Sequence, residues 1–369
     1  MKFEQFDLER NQSLFEHKVD FNLSESGVHP LKLTEILSKE ELENLLELQL
    51  SYGHTNGTKT LRKLVSKMYS SHLSHDNVLI TSGSAEANFL SVMTQLDKGD
   101  EIIYMVPNYL QIRHLAKSFG IIVKDLPLRQ SLGWQWDLDE LKSLISPKTK
   151  MIVICNPNNP TGAIMSDSVM DGVIKIAKDY DCWILSDEVY RGSELDGLEC
   201  RSFAGSTPKT IVNGGLSKAY SLPGLRVGWS IGSESYIQKA WSFHDYTVIN
   251  ISILSDWITS KILVPSRRKK ILDRTKKHLN SNLKLLMEWG DYNPGLSITR
   301  SEAAAIVFAK LNVPISSEKF VIDLRDKFSV LLTAGTWHGL EGFIRIGYGS
   351  EASYVQEGLD RISNFMKSF

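Results

Sequence analysis

Short apolar runs alternate with longer amphipathic segments through the middle of the chain. The runs fall at residues 77–81, 101–106, 121–125, 151–155, 182–186, 210–213 and 227–231. Each has the length of a strand and predicts a buried one. The intervening segments, such as 84–95 and 166–180, space their apolar residues three and four apart and predict helices. This alternation predicts an α/β fold, a mostly parallel sheet with helices on both faces. Ligands of such sheets gather at the C-terminal ends of the strands.

Beyond about residue 245 the pattern changes. Residues 251–289 are rich in Lys, Arg and Leu and predict a long helical stretch, broken or kinked at Pro265. Strand-like pieces follow at 306–309, 329–333 and 342–348, and an amphipathic helix at 354–367 closes the chain. The expected organisation is an N-terminal arm (1–45) packed on the small domain, a large ligand-binding domain (46–245) and a smaller α+β C-terminal domain (246–369).

Composition excludes several function classes. Of the 369 residues 42% are apolar and 23% are charged, and the net charge is -1, so neither nucleic acid nor an anionic membrane is an expected partner. The basic run 267–270 lies among apolar helix positions and reads as a solvated face. No apolar run approaches the ~18 residues of a membrane span, and the first dozen residues are too charged for a signal peptide. Cys155, Cys182 and Cys200 lack metal-ligand spacing. No metal and no disulfide framework are expected, which fits a reducing cytoplasm.

The candidate chemistry sits where the predicted strands end. Residues 215–229 read GLSKAYSLPGLRVGW, with Lys218 in a Gly/Ser turn and Arg226 eight residues later. That pair suits a covalent aldehyde cofactor bearing a phosphate: the amine forms a Schiff base and the guanidinium grips the phosphate. In Thr81-Ser82-Gly83-Ser84-Ala85, a strand gives way through a glycine turn to a helix, whose first N–H groups bind anions. Tyr109 follows a strand and can stack on a flat ring. Asn159 stands in the rigid turn Asn156-Pro157-Asn158-Asn159-Pro160-Thr161-Gly162 and can donate to a phenolate-like oxygen, which Tyr190 can also reach. Asp187 ends an apolar strand, where an unpaired acid is costly and a pyridinium N–H is a suitable partner.

Together these motifs resemble the fold-type I pyridoxal-phosphate enzymes, aminotransferase class I/II, over nearly the whole chain. The resemblance implies pyridoxal 5'-phosphate as cofactor and Lys218 as the Schiff-base lysine. Asp187 would pair with the ring nitrogen, Asn159 and Tyr190 would hold the ring oxygen, and Tyr109 would stack on the ring. Ser84, Ala85, Ser217 and Arg226 would hold the phosphate. It further implies a homodimer, in which Tyr52 reaches the neighbouring subunit's phosphate, and a small amino-acid substrate whose α-carboxylate is gripped by Arg345. One departure is Gly215, where many relatives carry a phosphate-binding serine.

The same resemblance implies a reaction through an external aldimine and a quinonoid. The arm, with Glu9 and the string Asn22-Leu23-Ser24-Glu25-Ser26-Gly27-Val28-His29, and the lysine segment are similar to those of capreomycidine synthase and enzymes of enduracididine biosynthesis. This implies dehydrating cyclisation of a hydroxyarginine, with Glu9 pairing the guanidinium and His29 acting as acid or base. The alternatives are an ordinary aminotransferase and an oxygen-dependent arginine oxidase, the latter relying on a histidine in the arm. A non-catalytic regulator on this fold is the remaining class, and the presence of Lys218 argues against it.

Overall fold

In the computed structural model, which describes residues 3–369, the arm comes first: a helix at Asp7–Phe15, then the short strand β1 (Phe21–Asn22). The apolar runs that follow form one sheet. Its members are β2 (Val78–Thr81), β3 (Glu101–Val106), β4 (Ile122–Pro127), β5 (Thr149–Cys155), β6 (Trp183–Asp187), β7 (Thr210–Gly215) and β8 (Gly228–Ile231). They lie in the order β2-β8-β7-β6-β5-β3-β4. Both faces are covered. In β3, Ile103 and Met105 enter the core on one side, while Ile102, Tyr104 and Val106 enter the core on the other. Continuous apolar runs are what burial on both faces requires. β4, at the edge, is the more exposed strand.

Only β8 runs against the rest of this sheet. Its connection from β7 carries Lys218 and Arg226 and contains a single short 3-10 turn, Pro223–Leu225. A parallel return needs a long crossover, usually a helix, so this shorter link brings the chain back antiparallel. Between β3 and β5 the chain reverses its direction of travel across the sheet, because β4 lies outside β3. That reversal leaves a crevice at the strand ends.

Local signals account for the helix boundaries. Ser166, Ser233 and Ser316 each cap a helix through the side-chain oxygen. Pro265 is the first residue of the helix Pro265–Asp291, directly after the helix Ile253–Ile262, so the expected break is a clean stop and restart.

The remaining strands are β9 (Leu296–Ser297), β10 (Ile306–Leu311), β11 (Val330–Leu331), β12 (Thr333–Ala334) and β13 (Phe343–Gly347). An antiparallel sheet runs β12-β13-β10-β9, while β11 pairs in parallel with β1 of the arm. The change of core does not fall at residue 245. Ile258, Ile262 and Ile271 pack into the core of the large sheet, and Leu279, Leu283 and Leu286 into that of the small one. One helix, Pro265–Asp291, therefore serves both. The arm is divided in the same way: Phe21, Leu23 and Val28 pack with the small sheet, Ile36 and Leu37 with the large one.

Leu23 is 1% exposed and seats the arm. Its N–H donates to Leu331 O at 3.0 Å, and its carbonyl accepts the Gly347 N–H at 2.7 Å. A Cβ on Gly358 would lie 2.7 Å from Leu23 Cδ1, so the glycine makes room for this side chain. Leu23→Ala is expected to cost about 2–5 kcal/mol of stability, seen as a lower urea midpoint in circular dichroism.

Candidate active site

The crevice at the ends of β3, β5, β6 and β7 opens into a cavity of about 370 Å³. Asp187, the last residue of β6, lies at its base and is 9% exposed. Its Oδ1 accepts the Val189 N–H at 3.1 Å and its Oδ2 accepts from Asn88 Nδ2 at 2.9 Å. Asn88 in turn accepts from Asn213, which also bonds Ser91 and Ser230, tying the helix Ser84–Gln95 to β7 and β8. Burial raises the Asp187 pKa, against the lowering effect of Asn88, Val189 and nearby Lys218. No cationic side chain forms an ion pair with it among the described residues, so a cation at the cavity floor would relieve a desolvated carboxylate.

Lys218 reaches the cavity from the β7–β8 link. Its Nζ donates to Glu25 Oε1 at 2.8 Å. The Glu25 side chain is 53% exposed by area, but that area faces the cavity. Burial would raise its pKa, yet the Lys218 ammonium and the Gly27 N–H hold it down to about 2. For Lys218, burial lowers and Glu25 raises the pKa, and the net direction is upward. Tyr190 lies opposite, its hydroxyl donating to Ser26 Oγ at 2.9 Å. Burial pushes the Tyr190 phenol up.

The helix Ser84–Gln95 points its N-terminus at the same cavity. Its N-cap is Gly83, at φ 82°, with no side chain to occupy the first-turn N–H groups. Arg226 lies beside it in a left-handed conformation, φ 50°, rare for a residue with a Cβ. The Arg226 Nη1 lies 3.3 Å from Ser217 Oγ, and a Cβ on Gly83 would come within 2.6 Å of Arg226 Nη2. A Cβ on Gly228 would press on Gly83 and the Ser84 nitrogen. Glycines thus hold open a cup of N–H groups and one guanidinium, suited to a phosphate. Gly215 borders the cup: a Cβ there would stand 3.7 Å from the Ser84 nitrogen.

Arg345, on β13, is 1% exposed. Its Nη1 donates to Asn159 Oδ1 at 2.8 Å and its Nη2 to the Ser24 carbonyl, while the buried Nε has no partner among the described residues. Burial lowers its pKa, opposed by Tyr190, Glu25 and Glu9. Arg345 lines the cavity, and a guanidinium suits a carboxylate. The arm helix also lines the cavity. Glu9 Oε1 accepts from the Tyr109 hydroxyl at 2.7 Å, and Gln12 bonds both the carbonyl and the hydroxyl of Ser24. Glu9 and Glu16 both line the cavity.

The cavity lining therefore brings together Ser84, Ala85, Tyr109, Asn159, Asp187, Tyr190, Ser217, Lys218, Arg226, Arg345 and Glu9. Two expected site residues lie elsewhere in this chain. Tyr52 is 82% exposed and borders a separate groove with Gly53, Ile251 and Ile253. His29 does not line the cavity. Its N–H bonds Gly349 O and its ring lies 3.2 Å from Glu351, because the chain has turned away at Gly27. Sequence reasoning missed Glu25, Glu16, Ser26 and Asn88. The one available signal for Glu25 was an acid inside an arm string bracketed by apolar Leu23 and Val28.

The lining fits pyridoxal phosphate: an amine to link it, a buried carboxylate lacking a cation, and a glycine-built cup for its phosphate. Comparison with known proteins agrees. Residues 20–362 match the family model for aminotransferase class I and II. An aspartate aminotransferase of Pyrococcus horikoshii is 29% identical over 324 residues, 86% of this chain and 83% of that one. Capreomycidine synthase of Streptomyces vinaceus is 26% identical over 357 residues, 95% of this chain and 90% of that one. The crystal structure of a PLP-dependent aminotransferase from Streptococcus suis superposes with a TM-score of 0.94 at 31% identity, covering 100% of this chain and 99% of that one. Aspartate and aromatic-amino-acid aminotransferases make up most of the similar proteins, so overall similarity does not carry the expected placement beside capreomycidine synthase.

Gly228→Ala is expected to crowd the cup while leaving the fold in place. Overpacking of about 1–3 kcal/mol corresponds to roughly 5- to 150-fold weakening of cofactor retention, measured by titrating the stripped enzyme with pyridoxal phosphate.

Proposed function

The chain belongs to the aminotransferase class I and II family and is a pyridoxal-phosphate-dependent enzyme, and from that premise we propose that its substrate is an α-amino acid with a guanidinium side chain. The observation that carries this reading is that one cavity is lined both by Arg345 and by the carboxylates of Glu9 and Glu16. Arg345 suits the α-carboxylate, and the acidic wall of the arm helix suits a cationic far end. An acidic side chain, as in aspartate, would meet like charge there.

Pyridoxal phosphate, when bound through Lys218, supplies a sink for the electron pair left at the substrate's α-carbon. Asp187 would keep the ring nitrogen protonated. Ser84, Ala85, Ser217 and Arg226 would hold the phosphate, and Tyr109 would pack on the ring. Asn159 and Tyr190 would hold the ring oxygen. Lys218 removes the α-proton. For a hydroxyarginine the net reaction is dehydrating cyclisation: Lys218 takes the α-proton, the side-chain hydroxyl departs with a proton as water, a guanidine nitrogen bonds the carbon it left and gives up one N–H proton, and the α-carbon takes a proton back, so that one water is lost overall. Glu9 orients that nitrogen.

Transamination is the second reading, favoured by the names of most similar proteins. The oxidase reading draws on an arm histidine at the site and finds little support in His29, which pairs with Glu351. The exposure of Tyr52, together with that of Leu46 and Leu50, supports a homodimer in which Tyr52 serves the neighbour's phosphate. Three unpaired cysteines are in keeping with a cytoplasmic enzyme.

The test is incubation of the purified enzyme with 3- and 4-hydroxyarginine and no keto acid. Catalytic formation of a product lighter by one water is expected. Turnover strictly dependent on a keto acid would replace this reading by transamination. Glu9→Gln is expected to raise KM for the guanidinium substrate roughly 10- to 100-fold, the worth of one charged hydrogen bond, with a smaller change for a neutral amino acid of similar length.

A further inference from the structure

Neither reading of the reaction uses the ion pair at the centre of the cavity. Glu25 Oε1 accepts from Lys218 Nζ at 2.8 Å and from the Gly27 N–H at 2.6 Å. The second bond, two residues along the chain, fixes the carboxylate and aims it at the lysine. A Cβ at Gly27 would stand 3.0 Å from that oxygen and 3.3 Å from the Ser217 carbonyl, so the glycine allows the arm to approach this closely. Other charged and titratable groups face the pair: Tyr190 and Asp187 from the end of β6, and Arg345 from β13. Glu9 of the arm helix bears on Arg345.

We infer that Glu25 is a positioning residue that holds Lys218 protonated after it has taken the substrate's α-proton, and so steers the reaction away from transamination. The inference rests on Lys218 being the base and is independent of the guanidinium. When the α C–H bond breaks, its electron pair stays with the substrate and cofactor, and the proton becomes the third N–H of the Lys218 ammonium. Glu25 accepts a hydrogen bond from that ammonium and takes no proton itself. Transamination requires the ammonium to give its proton back at the cofactor carbon. Loss of a β-substituent does not. An ammonium paired with a fixed carboxylate is a weaker acid than a free one, so the pair slows the first route and leaves the second open.

The test compares the holoenzyme with its Glu25→Gln and Glu25→Asp variants. Without substrate, the visible absorbance of the Lys218-linked cofactor is titrated with pH. The midpoint is expected to fall by about 1–3 pH units in Glu25→Gln, and Glu25→Asp is expected to recover most of that fall. With β-chloroalanine in a single turnover, the share of pyridoxamine phosphate over elimination product is expected to rise several-fold in Glu25→Gln. An unchanged midpoint, or an unchanged partition, in a variant of native circular dichroism would overturn the inference. Neither measurement uses a guanidinium substrate, so failure here and failure of the proposed substrate class are separate results.

Discussion

A carboxylate buried at the end of a central strand is the constraint around which this molecule is organised. Asp187 is desolvated and forms no ion pair among the described residues. Such a group is tolerable only when bonded on all sides and supplied with positive charge from a ligand. Its neighbours accordingly come from across the sheet. Asn88 arrives on the helix that forms the phosphate cup, Asn213 holds Asn88 from β7, and Ser230 holds Asn213 from β8. The antiparallel return of β8 matters for the same reason, since it keeps the Lys218–Arg226 link short enough to stay beside Asp187.

The arm is the second organising feature. β1 adds to β11 in parallel, Leu23 fills the space left at Gly358, and the Leu23 carbonyl is bonded by Gly347. This seating carries three different groups to the cavity. Glu25 meets the lysine, Ser26 meets Tyr190, and the Ser24 carbonyl meets Arg345. The arm helix then closes one wall with Glu9 and Glu16. One segment that adds no strand to the large sheet thus places several polar groups in the cavity.

Much of the fold was legible in the chain because it rests on local patterns. Strands buried on both faces are continuous apolar runs, and the inner members of the large sheet appeared as such, while the edge strand β4 is only partly apolar and largely exposed. The helix at Ser84–Gln95 and the restart at Pro265 follow from glycine and proline chemistry at single positions. Two-residue strands such as β1, β9, β11 and β12 have too little length to show a period, and they exist only because neighbours pair with them. The division between domains was equally hidden, since one helix keeps a single amphipathic pattern while its two halves pack on different cores.

The site divides along the same line. Lys218, Asp187, Asn159, Tyr190, Arg226 and Ser84 were recognisable because each stands in a turn or at a strand end whose local conformation presents it to the crevice. Residue order by itself therefore determined the strands of the large sheet, the glycine-built cup and most of the polar residues that line the cavity. Only the tertiary structure decided which acids meet them. Glu25 and Lys218 are 193 residues apart, and Asn88 and Asp187 are 99 apart. Their distances depend on how the arm is seated between two cores and how a helix lies across the sheet. His29 shows the converse. It shares the arm string with Glu25, but the turn at Gly27 sends the two side chains to different places, one to the lysine and one to the surface beside Glu351.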